Sequence, residues 1–127
     1  MPIIIDGWNF IRSESSDIND DEGDSLESAA ALISRLGRFQ DTHKDPVVLV
    51  FDSTNEFLGL NHKNHEQLSV VAAKDADKYI KRYIDKMPER QRRNLRVVSS
   101  DKDIYYYAKS SYATPLKSEE FWVKLKT

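Results

Sequence analysis

The 127-residue sequence contains no cysteine, which excludes disulfide bonds and any metal site built on thiolates. This composition is compatible with a reducing compartment, and we expect a cytoplasmic protein. Long apolar stretches are also absent, since no segment approaches the roughly 20 apolar residues of a membrane span. The first residues lack a basic segment and Asp6 interrupts their apolar run, so we expect no signal peptide and no membrane partner.

A large excess of one charge is missing as well. The 19 Lys and Arg residues nearly balance the 21 Asp and Glu residues, and the net charge is −2. This excludes a protein that coats nucleic acid through bulk positive charge, but it leaves room for a local basic surface. We find no repeat and no linker. The length fits one domain with its own core, and we expect a single domain over residues 1–127.

Apolar patterns along the chain alternate between two periods. Continuous apolar runs predict buried strands at residues 2–5, 47–51, 68–73 and 95–99. A spacing near 3.6 predicts helices at residues 26–39, 76–87, 104–111 and 119–125. Strands that are apolar on both faces and alternate with helices indicate a mainly parallel sheet covered by helices on both sides. Residues 53–67 carry no convincing helix, so the direction of the third strand stays open.

Acidic residues follow the predicted strands. Asp6 ends the first strand, Asp52 ends the second, and Asp101 comes just after the fourth. Asp77 falls in the first turn of the helix after the third strand. Ligands of open α/β sheets bind outside the carboxyl ends of the strands, so we expect these four acids along one edge.

Several carboxylates held close together at neutral pH repel one another, and a bound cation stabilises such a group. Ligands that are all oxygen suit Mg²⁺ or Mn²⁺. Such an ion can activate water and neutralise charge on a phosphoryl group, which predicts metal-assisted hydrolysis of phosphodiesters. The alternative for any one of these acids is a helix-terminal or turn role.

The same segments resemble the YacP-like branch of the NYN domains, within the PIN-like nucleases. The resemblance rests on IIIDGWNFI, VVLVFDS, DADKYIKRYI, VVSSDKD and ATPLKSEEF, which occur in the family's order over nearly the whole chain. DGWN at residues 6–9 fills the family's Asp-Gly-Tyr/Trp-Asn pattern, and SSD at residues 99–101 matches its Thr-Ser-Asp. The resemblance implies a three-layer, PIN-like (Rossmann-like) α/β fold with a mainly parallel sheet of four or five strands. It also implies a Mg²⁺ or Mn²⁺ site, endoribonuclease activity and, in bacteria, a link to the ribosome.

The sequence departs from the family pattern at the start of one helix. The family has Thr-Ala-Asp-Glu there, whereas this chain has Asp75, Ala76, Asp77 and Lys78. Either the number of acids is preserved at shifted positions, or the metal affinity is weakened. The second alternative predicts a catalytically silent NYN-like module that binds RNA or the ribosome.

Site roles follow from the strand ends and the resemblance together. The residues predicted to hold the cation and its water are Asp6, Asp52, Asp77 and Asp101, with Asn9 assisting. The residues predicted to contact RNA phosphates are Arg12, Lys74, Lys78 and Lys102. The basic run with Arg90, Arg92 and Arg93 follows a helix that begins at the acid edge. It should therefore lie roughly 15 Å from the acids. We interpret it first as a solvated helix end and second as a surface for a partner.

Three further features have competing interpretations. Trp8 follows a strand directly and is predicted to lie in the core rather than to stack on a base. The polar stretch with His62, His65 and Glu66 is not predicted to bind metal, although its histidines would suit a metal-free ribonuclease. The acidic segment 13–24 is predicted to be a mobile loop.

Overall fold

The computed structural model describes residues 1–18, 26–52 and 67–126. Residues 19–24 of the acidic segment lie outside the described residues. So does the stretch with His62, His65 and Glu66, together with most of the connection between the second and third strands.

Strands and helices alternate along the described residues. Their order is β1 (Ile3–Asp6), α1 (Gly7–Arg12), α2 (Leu26–Thr42), β2 (Val47–Asp52), β3 (Leu68–Ala73), α3 (Ala76–Lys86), α4 (Glu89–Arg92), β4 (Arg96–Val98), α5 (Lys102–Ser110), β5 (Thr114–Leu116) and α6 (Ser118–Lys126). Every predicted strand and helix is present, with ends shifted by a few residues at most. The elements α1, α4 and β5 were not predicted. The two helices are too short for a helical period to show, and β5, with the sequence TPL, has no continuous apolar run.

The strands of the described residues form one five-stranded sheet in the order β3-β2-β1-β4-β5. All four neighbouring pairs are parallel, including the pair of β2 with β3. The direction that the sequence left open is therefore parallel. Pro115 lies in β5 at the edge of the sheet, where a residue without an N–H is tolerated. The predicted mainly parallel sheet is confirmed.

Helices cover both faces of the sheet, which explains why the strands are apolar on both sides. Side chains alternate along β1, so Ile3 and Ile5 join the core cluster on one face and Ile4 joins the cluster on the other. The first cluster includes residues of α1, α2 and α6, and the second includes residues of α3 and α5. The three-layer architecture is thus confirmed. No helix in the described ranges is both long enough and apolar enough to cross a membrane.

Gly7 allows the chain to turn from β1 directly into α1. A Cβ atom at this position would lie 2.5 and 2.7 Å from two ring carbons of Phe51 and 3.0 Å from the carbonyl oxygen of Val50. A side chain here would therefore displace Phe51, on which Trp8 packs with ring centroids 4.5 Å apart. The glycine after Asp6 is a requirement of close packing at the end of β1.

We expect Gly7→Ala to lower the free energy of unfolding by about 1–3 kcal/mol, the usual range for overpacking. Urea unfolding followed by circular dichroism measures this change. The matched test is the double variant with Phe51→Leu, because a smaller side chain at position 51 should relieve part of the clash. Strictly additive losses in the double variant would show that contact with Phe51 is not the cause.

Candidate active site

An open cleft of about 280 Å³ lies at the edge of the sheet where the strands end. We call it the acid cleft, and its lining residues are Asp6, Trp8, Asn9, Arg12, Asp52, Ala76, Asp77 and Asp101. The parallel strands explain the convergence. Asp6 and Asp52 are the last residues of adjacent strands, and α3 and α5 begin at the same edge. The fold therefore brings together all four predicted acids with Asn9 and Arg12, while their roles stay predictions.

The other predicted RNA contacts lie beside the acid cleft rather than in it. Lys74 precedes α3, while Lys78 and Lys102 fall in the first turns of α3 and α5. All three side chains are exposed at the acid edge, but they do not line the cleft. Of the four predicted cations, Arg12 is the one that does.

Asp6 is the most perturbed of the acids. Its pKa is raised from 3.8 to about 7, first by burial and then by the negative charges of Asp77 and Asp101. The Ser99 hydroxyl, 3.4 Å from Oδ2 of Asp6, and the backbone N–H of Asn9 lower the pKa and offset part of this rise. Asp6 is thus the acid whose ionisation this cleft opposes most.

Asp77 is affected in the same direction. Burial is the largest cause of its raised pKa, followed by the charges of Asp101 and Asp75, and Lys81 offsets part of the effect. Asp6 and Asp77 each respond to the charge of Asp101, so three of the four acids interact electrostatically. Asp52 is exposed at the end of β2.

Two acids at this edge cap helices. The Oδ1 atom of Asp101 accepts hydrogen bonds from the backbone N–H groups of Asp103 and Ile104, at 2.8 and 3.3 Å. Asp75 caps α3 by accepting from the backbone N–H of Lys78 at 3.1 Å. The helix-terminal interpretation is therefore correct for Asp101, which caps α5 and also lines the acid cleft.

Asn9 links three separate parts of the chain. Its Oδ1 accepts from the backbone N–H of Ser100 at 2.8 Å and from the Ser118 hydroxyl at 3.0 Å. A backbone N–H can only donate, so the atom facing it is the amide oxygen. The amide nitrogen of Asn9 is then the end of the side chain that can donate to a ligand.

The sequence interpretation assigned no role to Ser99, although the SSD motif contains it. Ser99 is 1% exposed, and its Oγ accepts from the backbone N–H of Asp101 at 3.1 Å. The same hydroxyl lies 3.4 Å from Oδ2 of Asp6. Ser99 therefore bridges two of the predicted metal ligands.

The start of α6 forms a second supporting layer that the sequence did not reveal. Glu119 accepts hydrogen bonds from the hydroxyl groups of Ser100 at 3.0 Å and of Ser13 at 3.3 Å. Its pKa is lowered, first by its own backbone N–H and also by these hydroxyls. Trp122 fixes α6 in place, since its Nε1 donates to the carbonyl oxygen of Phe10 at 2.8 Å. Short β5 leads the chain to this position, and no local pattern marked that strand.

Trp8 lies mainly in the core, as predicted. It is 7% exposed, and its Nε1 donates to the carbonyl oxygen of Asp52 at 3.1 Å. The bond connects α1 to the end of β2. Trp8 therefore holds two walls of the acid cleft together.

The donor set of the acid cleft can be compared with the needs of a divalent cation. Within residues 1–18, 26–52 and 67–126, no group of three or more acidic or histidine side chains is arranged to hold a metal ion. The cleft does offer carboxylate oxygens in an environment that resists their ionisation. Mg²⁺ commonly binds through one or two carboxylates and keeps several waters. The residues therefore fit a hydrated Mg²⁺ or Mn²⁺ ion, but not an ion held by protein ligands alone.

A parallel sheet between two helical layers, with acids gathered where the strands end, is the architecture of a PIN-like α/β fold. The chain belongs to the YacP-like NYN domain family, a branch of the PIN-like nuclease superfamily, and the family model matches residues 3–127. The resemblance drawn from the motifs is thereby confirmed.

Two crystal structures of Rae1 (YacP) from Bacillus subtilis are similar in fold. A tryptophan-to-leucine mutant of Rae1 superposes with a TM-score of 0.72 at 17% sequence identity. A second Rae1 structure gives 0.68 at 16% identity. Each match covers 99% of this chain and 74% of the Rae1 chain. No curated protein sequence matches.

Proposed function

We propose that this chain is a divalent-metal-dependent endoribonuclease that hydrolyses phosphodiester bonds in RNA. The observation that carries the proposal is the acid cleft, where four carboxylates, one arginine and one asparagine meet at the edge of a parallel sheet. Membership of a nuclease family supports the same class of reaction. A link to the ribosome and a cytoplasmic location stay predictions, from the resemblance and from the composition.

The acids of the cleft are proposed to hold the metal. Asp6, Asp77 and Asp101 influence one another electrostatically, which makes them the strongest candidates, and exposed Asp52 lies on the open side. When bound, Mg²⁺ or Mn²⁺ would lower the pKa of water and neutralise charge on the phosphate. Ser99 would keep Asp6 and Asp101 in register through its bonds to both.

The neighbouring cations and Asn9 are proposed to position the RNA. Arg12 lines the acid cleft, so its guanidinium group can contact a phosphate next to the carboxylates. The amide nitrogen of Asn9 can donate to a phosphate oxygen. Exposed Lys74, Lys78 and Lys102 would attract the RNA backbone towards the acid edge, and this contribution should weaken with salt.

A catalytically silent RNA-binding module is the second candidate. Two observations favour it: Lys78 stands where the family often has a second acid, and the described residues contain no preformed group of three metal ligands. Addition of Mn²⁺ separates the candidates. A silent module should show neither cleavage nor a rise in melting temperature with Mn²⁺.

Cleavage of an end-labelled RNA tests the proposal directly. We expect Mn²⁺-dependent cleavage that a chelator abolishes, with products that carry 5′-phosphate and 3′-hydroxyl ends, because water attacks phosphorus. Products with 2′,3′-cyclic phosphate ends that form in the presence of chelator would contradict the metal mechanism. They would favour a histidine mechanism instead.

A further inference from the structure

A second cleft, of about 270 Å³, is lined by Glu89, Arg90, Arg93 and Tyr112. We call it the arginine–tyrosine cleft. Arg93 lies just before β4 and Tyr112 just before β5, so the cleft faces the edge where these parallel strands begin. The hydroxyl of Thr114 donates to the carbonyl oxygen of Arg93 at 3.0 Å and joins the two loops. This edge is opposite to the acid cleft.

The arginines of this region divide into two pairs. Arg92 donates to two carbonyl oxygens at the end of α3, at 2.9 and 3.1 Å, and Arg96 pairs with Asp45 at 3.0 Å. In the described part of the chain, the side chains of Arg90 and Arg93 make no ion pair and no hydrogen bond. Of these four arginines, Arg90 and Arg93 are the two without such partners, and they are also the two that line the cleft.

Tyr112 occupies a position where glycine is usual. Its φ angle is +69°, and it follows the last turn of α5. The N–H of Ala113 donates to the carbonyl oxygen of Ala108 at 2.9 Å, and this bond closes a helix end of the kind that favours glycine. A bulky residue in this conformation is strained. Tyr112 is 65% exposed, so packing in the core does not explain why tyrosine stands here.

We propose that the arginine–tyrosine cleft binds single-stranded RNA through its phosphates and one stacked base. The guanidinium groups of Arg90 and Arg93 can each form bidentate hydrogen bonds with phosphate oxygens. The ring of Tyr112 offers a face on which a base stacks. The carboxylate of Glu89 can accept a hydrogen bond from a ribose 2′-hydroxyl group or from the amino group of a base. The inference rests on the proposed function, because it makes this cleft a second contact for the same RNA.

The distance between the two clefts predicts which RNAs can use both. Helix α3 begins at the acid cleft and ends close to the arginine–tyrosine cleft, and its 11 residues span roughly 15 Å. Binding sites for single strands cover about 4–16 nucleotides. A dinucleotide should therefore occupy the acid cleft alone, whereas an RNA of about sixteen nucleotides should reach both clefts.

Tyr112→Gly gives a test in which stability and binding change in opposite directions. The variant should melt at a higher temperature, because glycine relieves the strained backbone. It should bind the longer RNA roughly tenfold more weakly, the loss of one stacked base. Binding is measured by fluorescence anisotropy with a chelator present, so that no RNA is cleaved. Cleavage of the shorter RNA with Mn²⁺ should match that of the wild type. Tyr106→Ala is the control, since Tyr106 is 60% exposed on α5 and does not line the cleft.

Charge reversal of Arg90 and Arg93 to glutamate should also weaken binding of the longer RNA. It should reduce the slope of log affinity against log salt by about one to two. Arg38→Glu on α2 is the charge-matched control for each of the two arginines reversed singly, and it should leave this extra contact intact. Unchanged binding of the longer RNA in both cleft variants would overturn the proposal in favour of an acidic protein partner. Equal losses for both RNA lengths would overturn it too.

A wild type that cleaves neither RNA contradicts only the proposed function, because the binding comparison does not depend on cleavage.

Discussion

Replacement of Asp6 by asparagine is expected to lower Mn²⁺-dependent RNA cleavage by more than about 100-fold. Loss of a partner that merely supports a metal ligand costs about 10–100-fold, so loss of a ligand should cost more. The fold should be preserved, because the amide oxygen can still accept from the Ser99 hydroxyl and the backbone N–H of Asn9. Initial rates on a short labelled RNA over a range of Mn²⁺ concentrations measure the effect.

Asp101→Asn should have a similar effect for the same reason. Asparagine caps helices as well as aspartate does, so this change removes the charge while it keeps the cap on α5. Asp75→Asn is the matched control, because Asp75 caps α3 but does not line the acid cleft. Near wild-type cleavage by Asp6→Asn, or an equal loss in the control, would remove the acid cleft as the site of the reaction.

Metal-free Asp6→Asn is expected to be more stable than the metal-free wild type by up to about 4 kcal/mol at pH 8. The pKa of Asp6 rises from 3.8 to about 7 in the folded state, first because of burial and then because of Asp77 and Asp101. A rise in pKa of about three units corresponds to about 4 kcal/mol in the free energy of unfolding. Above pH 7 the carboxyl group is ionised in both states, and the folded state bears the whole penalty.

The sign of the pH dependence follows from the same shift. Between pH 4 and pH 7 the folded protein retains the proton on Asp6 while the unfolded chain loses it. Stability of the metal-free wild type should therefore fall as the pH rises through this window and then level off. Asp6→Asn should show a shallower slope, with the remainder coming partly from Asp77, whose pKa is raised in the same direction.

Urea unfolding of both proteins at pH 5 and pH 8, with and without Mn²⁺, measures these effects. When the free energies of unfolding of the two proteins are subtracted, the contributions of the titratable groups that they share cancel. At a hundred times its dissociation constant, Mn²⁺ should stabilise the wild type by about 2.7 kcal/mol, and it should stabilise Asp6→Asn much less. Asp52→Asn is the control: Asp52 is exposed, so the metal-free stability should change by less than about 0.5 kcal/mol. An advantage of the variant that grows as the pH falls would contradict the assignment.

The sequence by itself determined that the sheet is mainly parallel and that acids follow its strands. Runs that are apolar on both faces require layers on both sides, and a chain that alternates strands with helices favours parallel pairing. Parallel strands all end at one edge, so Asp6 and Asp52 had to meet there. Apolar runs and the acids that end them involve residues close together in the sequence, so a local sequence pattern is enough to predict them.

The tertiary structure alone decided how the acid cleft is supported and charged. Asn9 contacts Ser100 and Ser118 across 91 and 109 residues of sequence, and no local period reports a contact over such a separation. Likewise, the folded structure was needed to show that Arg12 lines the acid cleft, whereas Lys74, which lies at the same edge of the sheet, does not. The six residues of α1 are too few for a helical period to show, and β5, with the sequence TPL, has no continuous apolar run. The pKa of Asp6 depends on burial and on charges that folding brings near, because desolvation and Coulomb energies follow distances in space rather than along the chain.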